Sequence, residues 1–480
     1  MPSDLKKKTA KGMFWSAVER FSTQGVQFLF GIVLARLLTP ADYGVIAMLT
    51  IFLAICQTFI DSGFANAIIR KIDRTEKDMA TMFFFNIGMS LVCYAILFCT
   101  APFIASFYNM PELTLILRVL ALRLIVQSFS TVQVTNLTIK IDFQKQAKIS
   151  LASAILSGIV GLVFAFMGYG VWSLVIQALF SSTFNAILYW LTVRWHPQCF
   201  FNKESFKSLF SYGSKLLISG LLDTTLKNLY SLVIGKFYTA AQLGNYSKAE
   251  RFAQFPSSNL TAILQRVSFP VLSSLQKEPE RLRKNYLKFL DLATFLVFPL
   301  MTGFLALTKP LTYLLLTEKW SGIIILLQIL CLAMMWYPVH AINLNILQVL
   351  GRSDLFLKLD VIKQAISIGI LCGTLPFGIT ALCLGKVVDS WISIVINTYY
   401  SGKLMKAGFF IQMKFMFPTF LNSLAMGAII LGVSHLLPEN LYSLQIGVGF
   451  VVGTAYYLLS NWLFNRKKMS EMLDLLKRKK

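Results

Sequence analysis

Residues 29–44, LFGIVLARLLTPADYG, return at 229–244 as LYSLVIGKFYTAAQLG, without a gap and at an offset of 200. Leu29, Val33, Thr39, Ala41 and Gly44 recur as Leu229, Val233, Thr239, Ala241 and Gly244, and Arg36 becomes Lys236. Each copy runs from the end of an apolar stretch, past one cation, through a short turn and into the next apolar stretch. Self-similarity at a fixed offset means that one structural unit is used twice.

What surrounds the two copies sets the class of protein. Of 480 residues, 56% are apolar and 14% charged, against about 25% charged in a soluble protein, and the mean hydropathy is +0.64. The apolar residues come in runs of about 20, the length that crosses a bilayer as a helix. A soluble enzyme is excluded, and so is nucleic-acid binding as the meaning of the +23 net charge.

The pattern predicts fourteen helical spans, at 12–36, 41–65, 79–106, 112–136, 147–167, 170–193, 209–236, 244–275, 286–308, 321–350, 356–377, 379–402, 414–436 and 443–464. No loop between spans is longer than 194–208, which leaves no room for a soluble domain. The N-terminus lacks a clean apolar core with a small-residue cleavage site and reads as retained. With it in the cytoplasm, 31 Lys and Arg fall on the inner side, in tails, loops and the adjoining span ends, and four, Arg36, Lys236, Lys309 and Lys319, on the outer side. Cations accumulate on the cytoplasmic side of membrane proteins, so both termini are expected there.

The repeat therefore groups spans 1–6 (residues 1–208) and 7–12 (209–405) as two lobes of the same orientation, with spans 13 and 14 and a basic tail in 406–480. The fold class expected is an all-α integral membrane protein. Two parallel six-helix lobes surround a central cavity, and two C-terminal helices are added outside the repeat. Parallel repeats of this kind place the substrate path between the halves.

Polar side chains inside spans are costly and mark such paths. In span 1, Ser16, Glu19, Arg20, Thr23, Gln24 and Gln27 fall in an arc of about 140°. Span 2 adds Thr50, Gln57 and Asp61. Span 7 carries Ser211, Lys215, Ser219, Asp223, Lys227 and Ser231 at unbroken four-residue spacing. Span 8 carries Ser247, Glu250, Arg251, Gln254, Ser258, Thr261 and Gln265 in an arc of about 100°. One such stripe reads equally well as a helix–helix contact. Four of them, on equivalent spans of both copies, read as the wall of an aqueous cavity.

The cavity cations are then Arg20, Lys215, Lys227, Arg251 and Arg266, suited to an anionic group such as a phosphate. Glu19, Asp61, Asp223 and Glu250 are either their counter-charges or the groups that take up an ion or proton. Gln24, Gln27, Gln57, Gln254, Ser258, Thr261 and Gln265 complete the polar lining. Asp360/Lys363 and Lys386/Asp389, each three residues apart, read as structural ion pairs. Pro256, Pro270, Pro299 and Pro338 are expected to kink their helices, and GxxxG at Gly369–Gly373 and Gly449–Gly453 to mark close helix packing.

No nucleotide-binding GxxxxGK[ST] loop, GxSxG or HExxH occurs, and no outer loop is large enough for a catalytic domain. Six of the seven cysteines lie in spans and read as buried apolar thiols; His196, His340 and His435 are too scattered for a metal site. No enzyme, metal or cofactor is expected.

The run FWSAVERFSTQGVQFLFGIVLARLLTPADYGVIAM (14–48), with FIDSGFANAIIRK (59–71), resembles the bacterial polysaccharide-exporter family of O-antigen and colanic-acid flippases. That family sits within the multidrug/oligosaccharidyl-lipid/polysaccharide superfamily. GYGVWSLVIQ (168–177) and LGNYSKAERFAQFP (243–256) add two further matches. The resemblance implies a two-lobed, alternating-access transporter in the bacterial inner membrane. It would move an undecaprenyl-diphosphate-linked oligosaccharide from the cytoplasmic to the periplasmic leaflet. Its partners would be that substrate, membrane lipid and envelope polysaccharide-assembly proteins, with no nucleic acid. The alternative is an ion-coupled multidrug or small-molecule exporter of the same superfamily, whose cavity would be dominated by acids and aromatics. A non-transporting scaffold would tolerate loss of Arg20, Lys215 or Arg251.

Overall fold

The computed structural model describes residues 3–464, with side chains from Trp15 onward except Ala17 and Phe464. The basic tail from Arg466 and the side chains of Lys6, Lys7, Lys8 and Lys11, counted above among the inner cations, lie outside the described residues. Those described form helices and no strand. In chain order they are α1 (Ser3–Leu37), α2 (Pro40–Asp61), α3 (Phe64–Arg70), α4 (Glu76–Tyr108), α5 (Leu113–Ser128) and α6 (Thr131–Ile139). Next come α7 (Phe143–Phe166), α8 (Val171–Thr192), α9 (Lys203–Phe237), α10 (Ala240–Ser274), α11 (Pro279–Ala306) and α12 (Thr308–Leu315). The last are α13 (Ile323–Met334), α14 (Tyr337–Val349), α15 (Ser353–Thr374), α16 (Ile379–Met405), α17 (Phe409–Leu436) and α18 (Tyr442–Phe464).

Among the described residues, nine helical stretches are long and apolar enough to cross a bilayer, or ten if α5 and α6, bent by 41°, count as one. This is a multi-pass membrane protein. Four further helices, α1, α9, α10 and α15, are 35, 35, 35 and 22 residues long and fall outside that apolar set. At about 1.5 Å per residue each has the reach to span.

Three expected spans are broken. The second interrupts at Ser62–Gly63, where φ turns positive (39° and 70°), and α3 continues the same apolar stretch Pro40–Arg70. Glycine takes that conformation at no steric cost. The fourth bends at the α5/α6 junction, and the tenth breaks between α13 and α14, where Pro338 sits in the first turn of the new helix. There the missing N–H has no intrahelical partner to lose. Pro256, Pro270 and Pro299 remain inside continuous helices.

Two packing expectations are corrected. Gly369 and Gly373 have nothing within 4 Å of where a side chain would start, so this GxxxG is not a contact. Gly449 and Gly453 do pack closely, against Leu307 and Ile430. Cys99 and Cys372 are exposed rather than buried, while Cys56, Cys93, Cys331 and Cys383 are buried. Spacing alone cannot say which face of an all-apolar helix meets protein and which meets lipid.

The chain divides into two compact units, Met1–Gly244 and Asn245–Lys480. In the first, α1 packs on α7, α7 on α8, α4 on α5 and α2 on α9. Gly158 of α7 lies against Phe30 of α1, and Gly161 against Gln177 of α8, closer than any larger residue allows. An aromatic core around Phe64, Phe83, Tyr189 and Trp195 fills one end. Trp195 Nε1 donates to Glu76 Oε2 (2.9 Å), which fastens the α8–α9 connection to the start of α4.

In the second unit, α11 packs on α17, α17 on α18, and α16 on both α13 and α15. Its buried centre holds a closed polar cluster. Tyr286 Oη donates to Asn343 Oδ1 (2.8 Å), Ser401 Oγ to the same oxygen (2.7 Å), and Asn343 Nδ2 to Gln412 Oε1 (3.0 Å). Gln412 Nε2 donates to the Ala407 carbonyl (2.8 Å). Removing one member strands the others, and lipid offers them no water. Gln412→Leu is therefore expected to destabilise the protein by about 2 kcal/mol, read as a lower unfolding temperature in detergent.

Candidate functional site

The repeated stretches fold alike. After α1, Thr39 N donates to Asp42 Oδ2 (2.8 Å) and Asp42 N to Thr39 Oγ1 (3.3 Å). After α9, Thr239 N donates to Gln242 Oε1 (3.1 Å) and Gln242 N to Thr239 Oγ1 (3.2 Å). Both are reciprocal caps that satisfy orphan amides at a helix start, which accounts for the recurring threonine. The recurring glycine has a different cause. A Cβ on Gly44 would fall on the Ala240 carbonyl, and one on Gly244 on the Pro40 carbonyl. Pro40 and Ala240 are themselves equivalent at the offset of 200, so the two close approaches are one contact made twice.

In the first unit, α1 presents Arg20 and Gln27 as exposed and Glu19 and Gln24 as half-buried. Glu19 turns from that face towards α7, where Ser150 Oγ donates to its Oε1 at 3.0 Å. On α2, Gln57 Nε2 donates to Asp61 Oδ1 (2.9 Å), and Asp61 is exposed. On α9, Lys215, Asp223 and Lys227 are all exposed. Lys227 pairs with Asp223 at 2.7 Å, with 71% and 58% of the two side chains exposed. A pair so open contributes at most about 1 kcal/mol, so stability alone does not explain its place within a long helix. Thr58 of α2 meets Thr224 of α9 at 3.0 Å between hydroxyls.

In the second unit, the stripe on α10 divides. Arg251, Gln254 and Arg266 are exposed and Ser258 is half-buried. Thr261 is buried and donates back to the Ser257 carbonyl (2.7 Å), while Gln265 Nε2 donates to the Ala341 carbonyl of α14 (3.3 Å). One edge of the stripe thus packs on α14 and the other stays open. Glu250, at the open edge, accepts from Tyr246 Oη (3.1 Å) and pairs with Lys386 of α16. Lys386, expected to pair with Asp389 on its own helix, thus has a partner on α10 as well, and Lys363 pairs with Asp360 (3.5 Å). Among the described residues, no three His, Cys, Asp or Glu side chains are grouped to hold a metal ion.

Each unit thus carries exposed cations on long helices, Arg20 on α1 with Lys215 and Lys227 on α9 in the first, and Arg251 and Arg266 on α10 in the second. A family model described as polysaccharide biosynthesis protein matches residues 33–325. The chain belongs to that family. Residues 33–325 take in α2, α9 and the open edge of α10. The chain is 24% identical over 458 residues to the teichuronic acid biosynthesis protein TuaB of Bacillus subtilis, covering 95% of this chain and 94% of that one. It is 26% identical over 406 residues to the lipopolysaccharide biosynthesis protein WzxC of Escherichia coli, covering 82% and 81%. Its fold is similar to that of the lipid II flippase MurJ in an inward closed conformation, with a TM-score of 0.76 at 12% identity over 95% of this chain and 100% of that one.

Two contacts, of Ser150 with Glu19 and of Lys386 with Glu250, are not encoded in the local sequence pattern. Ser150 lies on α7, whose apolar pattern gave no reason to single out one serine. Lys386 had been assigned to its own helix, because spacing sees neighbours along a helix and is blind to a partner 136 positions away.

Proposed function

We propose that the protein is a flippase that carries an undecaprenyl-diphosphate-linked oligosaccharide from the cytoplasmic to the periplasmic leaflet of the bacterial inner membrane. The observation that carries this reading is that each unit of a polysaccharide biosynthesis protein exposes cations on a long helix. Lys215 and Lys227 on α9, and Arg251 and Arg266 on α10, would cost far more in hydrocarbon than beside an anion. A diphosphate is such an anion, and its lipid tail stays in the bilayer while the sugar follows the polar faces.

In this reading α1, α9, α10 and α15 also span, since their polar faces are what lowers their hydropathy. The span count is then fourteen, both termini are cytoplasmic, and residues 1–208 and 209–405 are two copies of one unit followed by 406–480. Arg20, Lys215, Lys227, Arg251 and Arg266 hold the diphosphate, and Gln24, Gln27, Gln57, Gln254 and Ser258 meet the sugar. Thr261 and Gln265, bonded to backbone, shape α10 instead. Glu19, Asp61, Asp223 and Glu250 balance the cations at rest and are the groups through which an ion gradient would act. Polysaccharide-assembly proteins of the envelope would receive the product.

Deleting the gene tests this. Lipid-linked oligosaccharide should accumulate on the cytoplasmic leaflet while surface polysaccharide disappears, and the intact gene should restore both. Unchanged lipid-linked oligosaccharide together with new sensitivity to cationic drugs would move the protein to small-molecule export.

A further inference from the structure

The ion pair between α10 and α16 is built to open. Glu250 Oε1 takes two donors, the Lys386 ammonium and the Tyr246 hydroxyl. The ammonium also lies 5.1 Å from the centre of the Tyr246 ring, whose residue is fully buried. Lys386 and Glu250 keep 15% and 29% of their side chains exposed, so neither is sealed in. Arg251, the residue after Glu250, is exposed. One turn along α16, Asp389 keeps Oδ1 buried without a hydrogen-bond partner.

Breaking a shielded ion pair is costly when it strands a charge. Here the carboxylate left behind is open enough to be solvated: if the ammonium leaves, Glu250 retains the bond from Tyr246 and keeps 29% of its side chain exposed. The lysine needs only to swing on its flexible four-carbon stem. A phosphate beside Arg251 would offer it more charge and more acceptor oxygens than one carboxylate does.

We propose that Lys386 is an exchangeable phosphate ligand, held by Glu250 while the path is empty and transferred to the diphosphate when a lipid-linked substrate reaches Arg251. Glu250 then acts as the competitor that recovers the lysine and releases the substrate. This inference rests on the flippase reading and adds to it a residue on α16 and a release step.

Calorimetric titration of the purified full-length protein with farnesyl diphosphate tests it, with thermal unfolding recorded on each sample. Lys386→Met should bind about tenfold more weakly, one lost charge-assisted contact. Glu250→Gln should bind about fivefold more tightly, because the competitor is gone, and should export glycan more slowly in cells. The double variant E250Q/K386M strands no charge, so it keeps the comparison open if a single variant unfolds, and it should bind more weakly than the natural protein. Wild-type affinity in K386M, or in the double variant, would overturn the exchange while leaving the flippase reading in place. Failure of the natural protein to bind farnesyl diphosphate would overturn the diphosphate site itself, and the exchange with it.

Discussion

Replacing Arg251 with alanine is expected to reduce glycan export about a hundredfold while leaving the protein folded and inserted. A guanidinium can grip a phosphate through two parallel charge-assisted hydrogen bonds, each worth about 1.5 kcal/mol or more. Losing both removes about 3 kcal/mol, and each 1.4 kcal/mol is about a factor of ten. Arg251 is exposed on α10, and a substitution of that kind shifts stability by no more than about 0.5 kcal/mol. Arg251→Lys keeps the charge but loses the fork, and is expected to fall between the two. Surface polysaccharide measured against the amount of protein in the membrane reads the effect. Normal export by the alanine variant would remove Arg251 from the site.

The second large effect is structural. Gly44→Val and Gly244→Val should each destabilise the protein by about 3 kcal/mol, since overpacking a tight contact costs about 1–3 kcal/mol and here the obstacle is backbone. Side chains at these positions would meet the Ala240 and Pro40 carbonyls, which cannot rotate away. The double variant should cost clearly less than the sum, because the first substitution already separates the two helix starts. Gly373→Ala is the control. Nothing lies within 4 Å of it, and alanine in a helix gains up to about 1 kcal/mol over glycine. Unfolding temperatures in detergent give all four values, and full additivity would contradict the paired contact.

These two cases also show what the sequence carried. The recurrence at an offset of 200 was visible as letters, and structure supplies the reason for two of them: the threonine caps and the glycine makes room. The helices themselves were legible as apolar runs of bilayer-spanning length, and the fact of a membrane protein followed from that. Breaks within spans were only partly legible. Pro338 marked the α13/α14 junction, whereas Asp61, Ser62 and Gly63 fell near the end of the expected 41–65 span and did not mark the break before α3.

The site was legible as far as helix periodicity reaches. It placed Lys215, Asp223, Lys227, Arg251 and Gln254, all of them exposed, on polar stripes, and it anticipated the Asp223–Lys227 pair. It did not separate the open edge of α10 from the edge that packs on α14, because both edges are polar and only a neighbouring helix distinguishes them. The partner of Lys386 and the contact of Glu19 with Ser150 depend on which helices meet, and no local pattern encodes that. The GxxxG at Gly369–Gly373 failed for the same reason, since small residues permit a contact without creating one.

The most direct test of the account uses the purified protein in sealed vesicles that carry an undecaprenyl-diphosphate oligosaccharide on one leaflet. Access of a membrane-impermeant glycosidase to the sugar is followed over time. The account predicts that the protein renders the sugar accessible across the membrane, and that Arg251→Ala at equal incorporation does so about a hundredfold more slowly. Sugar that stays protected with the natural protein present, in vesicles where a known flippase exposes it, would contradict the assignment.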